Sequence, residues 1–321
     1  MIYNKLGNSD LMISAIGLGT WAIGGGGWTY AWGPQDKKES AYTIEKAMDL
    51  GINWIDTAPV YGLGNSELII GRTLRQLKKK PIIASKCGLC WDEKRKLFGC
   101  LKKESIKKEL EESLKRLKTD AIDIYQIHWP NPDEDIEEGW ETIQELKKEG
   151  KIRYGGVSNF SIDQLKRINS IAPTTSLQPP YNLLDNKIEK EIMPYCEANQ
   201  IGLITYSPMH KGLLTGKFTK ERLNNLPLDD HRRKRDPFFH EPKFSQILSA
   251  TQKLTKIAQQ KNITLAQLSI AWILKKEEVT AVIAGARKPS QIEETAKAIS
   301  IMLDESDITE INRIFKNVSS L

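Results

Sequence analysis

An α/β fold, a (β/α)8 TIM barrel with an N-terminal β-hairpin plug and a long loop after strand 7, is what this sequence predicts. Eight short apolar runs rich in β-branched residues alternate with amphipathic stretches whose apolar residues recur at three and four. The 321 residues, 40% hydrophobic, suffice to bury one large core. The most unusual polar motifs fall at the carboxyl ends of the apolar runs, where such barrels gather their active sites. Residues 1–321 therefore read as a single domain, without an internal repeat, low-complexity tract or interdomain linker.

Residues 2–6 and 11–13, joined by Gly7-Asn8-Ser9-Asp10, predict the hairpin that plugs the barrel's lower end. Barrel strands are expected at 14–18, 53–56, 82–85, 121–127, 152–157, 176–178, 202–206 and 281–284. Helices are expected at 36–50, 103–117, 136–148, 264–275 and 290–298. Residues 211–244, with Pro227, Pro237 and Pro242, form a longer connection than a barrel needs, and long loops with little regular structure are often lids.

The formal charge of +6 is spread along the chain, with lysines interleaved with glutamates as on solvated helix faces, so nucleic acid is not an expected partner. The one dense basic spot, Arg232-Arg-Lys-Arg235, sits beside Asp229, Asp230 and Asp236 and reads as a solvated loop. The first residues lack the apolar core of a signal peptide, and no run approaches the ~20 apolar residues of a membrane span. A soluble cytoplasmic protein is expected, and its oligomeric state is open. Among four cysteines, Cys87 and Cys90 form a Cys-x-x-Cys with Cys100 nearby, but no fourth ligand stands at useful spacing. Free thiols and no metal are expected.

The run Asn53-Trp-Ile-Asp-Thr-Ala-Pro-Val-Tyr-Gly-Leu-Gly-Asn-Ser-Glu67 holds Asp56 and Tyr61, and Lys86 and His128 stand at the ends of the third and fourth runs. A phenol beside an ammonium, an imidazole and a carboxylate makes a proton donor for a carbonyl, because the ammonium stabilises the phenolate. Asp56 would keep Lys86 charged and oriented. Gly24-Gly-Gly-Gly27 matches no dinucleotide or phosphate-loop fingerprint and reads instead as a flexible flap. It carries Trp28, Tyr30 and Trp32, which with Trp91 and Trp129 are candidates to wall an apolar substrate pocket.

These four residues resemble the catalytic tetrad of the aldo-keto reductase superfamily. Gly17-Leu-Gly-Thr-Trp21, Val157-Ser-Asn159, Gln178-Pro-Pro-Tyr-Asn182, Tyr206-Ser-Pro208, Gly212-Leu-Leu-Thr-Gly-Lys217 and Gly285-Ala-Arg287 resemble further family motifs, in the family's order, as far as about Glu294. The resemblance implies an NADPH-dependent oxidoreductase that reduces aldehyde or ketone carbonyls to alcohols, with a pro-R hydride moving to a small-molecule substrate and Tyr61 as general acid. It implies cofactor contacts at Gly19, Thr20, Trp21 and Asp56, at Ser158, Asn159 and Gln178 for the nicotinamide carboxamide, and at Tyr206 for ring stacking. Ser207, Pro208, Met209, Gly212 and Lys217 would follow along the cofactor. Gly285, Arg287, Gln291 and Glu294 would take its adenosine end, with Arg287 reaching outward to the 2′-phosphate. Thr295 stands where the family commonly has asparagine.

Two other classes compete. The chain is also similar to the potassium channel beta subunits, which would make it a nicotinamide-binding regulatory protein with slow chemistry, although those subunits depart from the tetrad at the position of His128. A Schiff-base lyase built on Lys86 is the third reading.

Overall fold

The computed structural model describes residues 1–316 and 318. Its centre is a closed barrel of eight parallel strands: β3 (Ile16–Gly19), β4 (Trp54–Asp56), β5 (Ile82–Cys87), β8 (Ile122–Ile127), β9 (Ile152–Ser158), β10 (Ser176–Gln178), β11 (Gly202–Thr205) and β12 (Val279–Gly285), which returns to β3. All eight expected strands are present, most within a residue or two of their expected ends. Helices on the outer face include Lys37–Asp49, Lys103–Leu117, Ile136–Lys148, Leu265–Leu274 and Pro289–Ala296. Asn65–Thr73, Ile162–Asn169 and Ile192–Ala198 complete the layer that the eight alternating units imply, at positions not singled out from the sequence. Ser161 and Gln164 start the second of these with a capping box, each satisfying the other's backbone N–H.

The hairpin of β1 (Tyr3–Lys5) and β2 (Met12–Ser14) is antiparallel, as expected. Its Leu6, Leu11 and Ile13 pack against the inward-facing Trp54, Ala84, Ile124, Ile204, Ala281 and Ile283, so the amino-terminal end of the barrel is plugged with apolar side chains. Trp54 donates its indole N–H to Ser14 O at 2.8 Å. Gly17 is required there, since a Cβ on it would lie 2.1 Å from the Trp54 ring. Sealed at this end, the barrel opens for ligands at the carboxyl ends of its strands.

Two features at that open end differ from expectation. A second hairpin, β6 (Leu89–Trp91) with β7 (Leu97–Gly99), follows β5 directly. The connection after β11 is not a loop with little regular structure. It folds into short helical turns at His210–Thr215, Lys220–Asn224, His231–Lys234 and Pro237–Phe239 before the long helix Lys243–Gln260. The side chains of Thr219, Asp230 and Asp236 each accept a backbone N–H at the start of one turn, a capping role that the proline count had obscured. No described helix is long and apolar enough to cross a membrane.

Candidate active site

Asp56 ends β4, Lys86 lies in β5, and His128 follows β8, while Tyr61 sits on the turn after β4. Parallel register sets Asp56 beside Ala84 and Lys86 beside Gln126, which aims the inward side chains of neighbouring strands at one point. Lys86 is fully buried, and its Nζ donates to both Asp56 oxygens at 2.8 Å, to Thr57 O at 2.9 Å and to the Tyr61 hydroxyl at 3.3 Å. The Tyr61 and His128 rings meet edge-on with centroids 5.8 Å apart. The structure therefore brings the four together. Tyr61 is fixed by a tight turn in which Gly62 lies against Gly24: a Cβ on Gly62 would stand 2.1 Å from Gly24 O.

Burial pulls the Lys86 ammonium below its ordinary pKa, opposed by the Asp56 carboxylate. Burial, then the negative charge of Asp56 and the nearby Tyr206, pushes the Tyr61 phenol well above its ordinary value. The expected lowering of this phenol by Lys86 is thus outweighed in the free protein, and Tyr61 keeps its proton at neutral pH. Burial and the Lys86 charge hold His128 well below the usual histidine range, so its imidazole is neutral.

Asp56, Tyr61 and His128 line the floor of a cavity of about 890 Å³, within the range of small-molecule and cofactor sites, and the fully buried Lys86 lies behind them. Around it, Ser158 donates to Gln178 O at 2.8 Å, and the Asn159 amide donates to His128 O and to the Ser158 hydroxyl, each at 3.0 Å. Tyr206 donates to Asn159 Oδ1 at 2.8 Å. Every residue assigned from the sequence to the cofactor lines this cavity: Gly19, Thr20, Trp21 and Asp56 from β3 and β4, Ser158, Asn159 and Gln178 from β9 and β10, and Tyr206, Ser207, Pro208 and Met209 after β11. Gly212, Lys217, Gly285, Arg287, Gln291 and Glu294 line its far end. Several are already engaged. The Thr20 hydroxyl is buried and donates to Asp56 O at 2.8 Å, and its backbone N–H donates to the same oxygen at 3.0 Å, so Thr20 is held within the protein. Gln291 caps the backbone N–H groups of Arg287 and Lys288 at 2.7 and 3.2 Å. Thr295 back-bonds to Gln291 O at 3.0 Å.

Three sequence expectations are corrected here. Trp28, Tyr30, Trp32 and Trp129 line the cavity but Trp91 does not; the second hairpin presents Leu89 of β6 and Leu97, the partner of Trp91 on β7, in its place. The basic cluster is solvated only in part: Lys234 and Arg235 are exposed, but Arg232 is buried, held by Asp230 at 2.9 and 2.6 Å and stacked 4.4 Å over Trp32. Arg287 does not simply reach outward. Half-buried, it donates through Nε to Gln35 at 2.6 Å, to Trp32 O at 3.0 Å and to Pro34 O, so it straps the flap to the β12 end. Burial and the neighbouring Arg232 lower its pKa. Leu89, Leu97 and Phe98 of the second hairpin also line the cavity and were missed. Apolar residues flanking the polar Asp92-Glu-Lys-Arg-Lys96 turn were the signal that could have found them. The four cysteines are free, with burial pushing Cys87 well up and Cys90 to about 12. No cluster of three or more metal-ligating side chains occurs among the described residues.

The Aldo/keto reductase family model matches residues 15–316. The chain belongs to this family. Among its relatives is Aldo-keto reductase YhdN of Bacillus subtilis, 41% identical over all of this chain and 95% of its own length. The NADH-specific methylglyoxal reductase of Escherichia coli is 36% identical, covering 95% of each. The solved glycerol dehydrogenase AKR11B4 from Gluconobacter oxydans superimposes with a TM-score of 0.87 at 38% identity, covering 98% of this chain and 95% of that one. As an aldo/keto reductase, the protein is an oxidoreductase of carbonyl compounds, and the family's nicotinamide fits the residues present. Glu294 Oε1 is buried in the cavity wall without a partner, and a Cβ on Gly285 would meet nothing within 4 Å, leaving the backbone open to close approach.

Proposed function

We propose that this aldo/keto reductase is an NADPH-dependent reductase of small aldehydes and ketones in which Tyr61 is the general acid. The observation that carries this reading is the Lys86 ammonium, clamped by both Asp56 oxygens and 3.3 Å from the Tyr61 hydroxyl at the floor of the cavity. A reduced nicotinamide, when bound, supplies the hydride to the carbonyl carbon. Tyr61, protonated at neutral pH, donates its proton to the oxygen as negative charge develops there. Lys86 stabilises the resulting phenolate from one side, and Asp56 holds Lys86 in place while balancing its charge. Neutral His128, edge-on to the phenol, can donate a hydrogen bond to the same carbonyl oxygen without competing as an acid.

Ser158, Asn159, Gln178 and Tyr206 would hold the nicotinamide end. The insertion and the loop after β12 would hold the remainder, with Lys217 bonded to Glu294 at 3.3 Å across the opening. For NADPH over NADH the support is Arg287: three of its five N–H groups are spent on the flap, and one on each terminal nitrogen remains for a phosphate. One relative is named NADH-specific, so this choice rests on the chain's own residues. The test is oxidation of NADPH and NADH with a panel of aldehydes, ketones and sugars. Carbonyl-dependent turnover with NADPH preferred supports the reading, and turnover with NADH alone overturns the cofactor assignment.

A further inference from the structure

Gln126 is fully buried on the inward face of β8, in a run that otherwise reads as a strand core. The mechanism above has no use for it. Its Oε1 accepts from Gln178 Nε2 at 3.4 Å, while its own Nε2 is buried with no partner. An orphaned amide donor inside a barrel is destabilising, so an apolar residue would stabilise this position better. The cost needs a reason, and Gln178 supplies one.

Gln178 Nε2 also donates to Asp56 Oδ2 at 2.8 Å. Both of its N–H groups are thereby directed into the protein, one to Asp56 and one to Gln126. The opposite orientation would set Gln178 Oε1 against a carboxylate and the Gln126 carbonyl, an arrangement of acceptors facing acceptors. Nor can Gln126 turn over, because its NH2 would then face the NH2 of Gln178. The two amides therefore lock each other's orientation, which leaves Gln178 Oε1 as the one atom of that side chain without a protein partner, on a residue that lines the cavity.

We propose that Gln126 is a positioning residue: it fixes the Gln178 amide so that an acceptor, and never a donor, is presented to the carboxamide of the nicotinamide. The consequence is selectivity for a ring substituent that carries an N–H. This rests on the proposed nicotinamide site and adds to it the residue that sets the site's polarity. Because Gln178 also bonds Asp56, the same lock ties the cofactor's ring end to the Asp56–Lys86 pair.

The test compares NADPH with its reduced 3-acetylpyridine analogue, in which a methyl ketone replaces the carboxamide and no N–H is offered. Dissociation constants come from quenching of protein fluorescence. The wild type is expected to prefer NADPH by about three- to tenfold, the worth of one neutral hydrogen bond. Gln126→Leu, which removes the acceptor and also the orphaned donor but leaves the bond to Asp56, should reduce that preference while still binding the analogue with wild-type affinity. Gln126→Glu, protonated in this buried place and keeping an acceptor oxygen, should restore it. The proposal falls if Gln126→Leu keeps the full preference, or if both variants weaken the two compounds equally, which marks a packing role. A wild type that binds both compounds equally also overturns it but leaves the nicotinamide site standing, whereas a wild type that binds neither removes the proposed function itself.

Discussion

Asp56 and Gln178 line the cavity from β4 and β10, with Lys86 of β5 buried against Asp56, whereas Trp32 reaches it from the flap and His231 and Arg232 from a helical turn of the insertion, and the two groups are held by different means. On the floor, strand register fixes each Cα and burial fixes each side chain: Lys86 alone makes four hydrogen bonds. In the roof, the flap and the insertion are joined by a few contacts, such as Gly27 N–H to Asp229 Oδ2 at 3.2 Å and the Arg232 guanidinium over the Trp32 ring, and Arg287 ties the flap to the β12 end through Trp32 O. His231 N–H to Ala31 O at 3.1 Å adds a single backbone link. A floor of this kind cannot shift by an ångström without breaking the barrel. A roof of this kind can open by releasing a handful of contacts, as ligand entry and release require. The proposed chemistry lies on the first and the proposed grip on the second.

The sharpest way to break that division is Tyr61→Phe. Loss of one hydroxyl removes the proton donor, a role worth ~100- to 10,000-fold in rate, while the roof is untouched. We expect kcat to fall by that order and the NADPH dissociation constant to stay within about twofold of wild type. Steady-state rates paired with fluorescence titration check both halves. More than half of the wild-type activity surviving in the variant would leave the floor without its acid.

The floor was legible in the sequence and the roof was not, for the same physical reason. Asp56, Lys86 and His128 occupy strand ends, and period-two alternation with a strand-end position is enough to say where such a side chain points. The second hairpin was missed because its strands are only partly buried and its connection, Asp92-Glu-Lys-Arg-Lys96, has none of the glycine or asparagine that marks the Gly7-Asn8-Ser9-Asp10 turn of the first. Arg232 looked solvated because four consecutive residues of basic sequence say nothing about the indole of Trp32, two hundred residues earlier, that stacks on one of them. Arg287 was placed correctly at the cavity, but its attachment to Gln35, Trp32 and Pro34 depends on tertiary contacts that no local pattern encodes.

Arg287→Ala sharpens the comparison because the residue serves both grip and strap. If its two remaining N–H groups hold a 2′-phosphate, NADPH affinity should fall roughly tenfold to a hundredfold, with NADH scarcely affected. Parallel titrations of both cofactors decide it. An equal loss for the two would reduce Arg287 to a strap for the flap and withdraw the support for NADPH.

A smaller effect is expected on the roof itself. Protease attack needs a segment to open locally, and a ligand bound beneath the roof raises the cost of opening. Cleavage between Lys217 and Lys243 should be several-fold slower with saturating NADPH than without it, while sites elsewhere are unchanged. Equal cleavage rates would mean that the insertion is a fixed wall and that turnover is not limited by its movement.

An effect absent at neutral pH concerns two histidines of the insertion. Burial and the Lys211 charge push His210 down to about 3, and burial likewise lowers His231 to about 4, so both are uncharged in the fold. The unfolded chain binds their protons near the ordinary value of about 6.5. Stability is therefore fully present above about pH 6.5 and is lost as pH falls towards the folded values, by at most ~1.4 kcal/mol per pH unit for each histidine. Glu109 acts in the opposite sense: burial raises its carboxyl to about 7, so the fold gains its proton first and is stabilised as pH falls. Wild-type stability alone would mix these effects. His210→Gln separates them, because the stability difference between wild type and variant contains the histidine and not Glu109. Urea denaturation at half-unit steps should show that difference changing by about 1 kcal/mol per pH unit between pH 6.5 and 4 in the direction of a more acid-sensitive wild type. A difference that does not vary with pH would mean that the ring of His210, packed 4.3 Å from Phe238, takes up its proton in the folded roof as easily as in the unfolded chain.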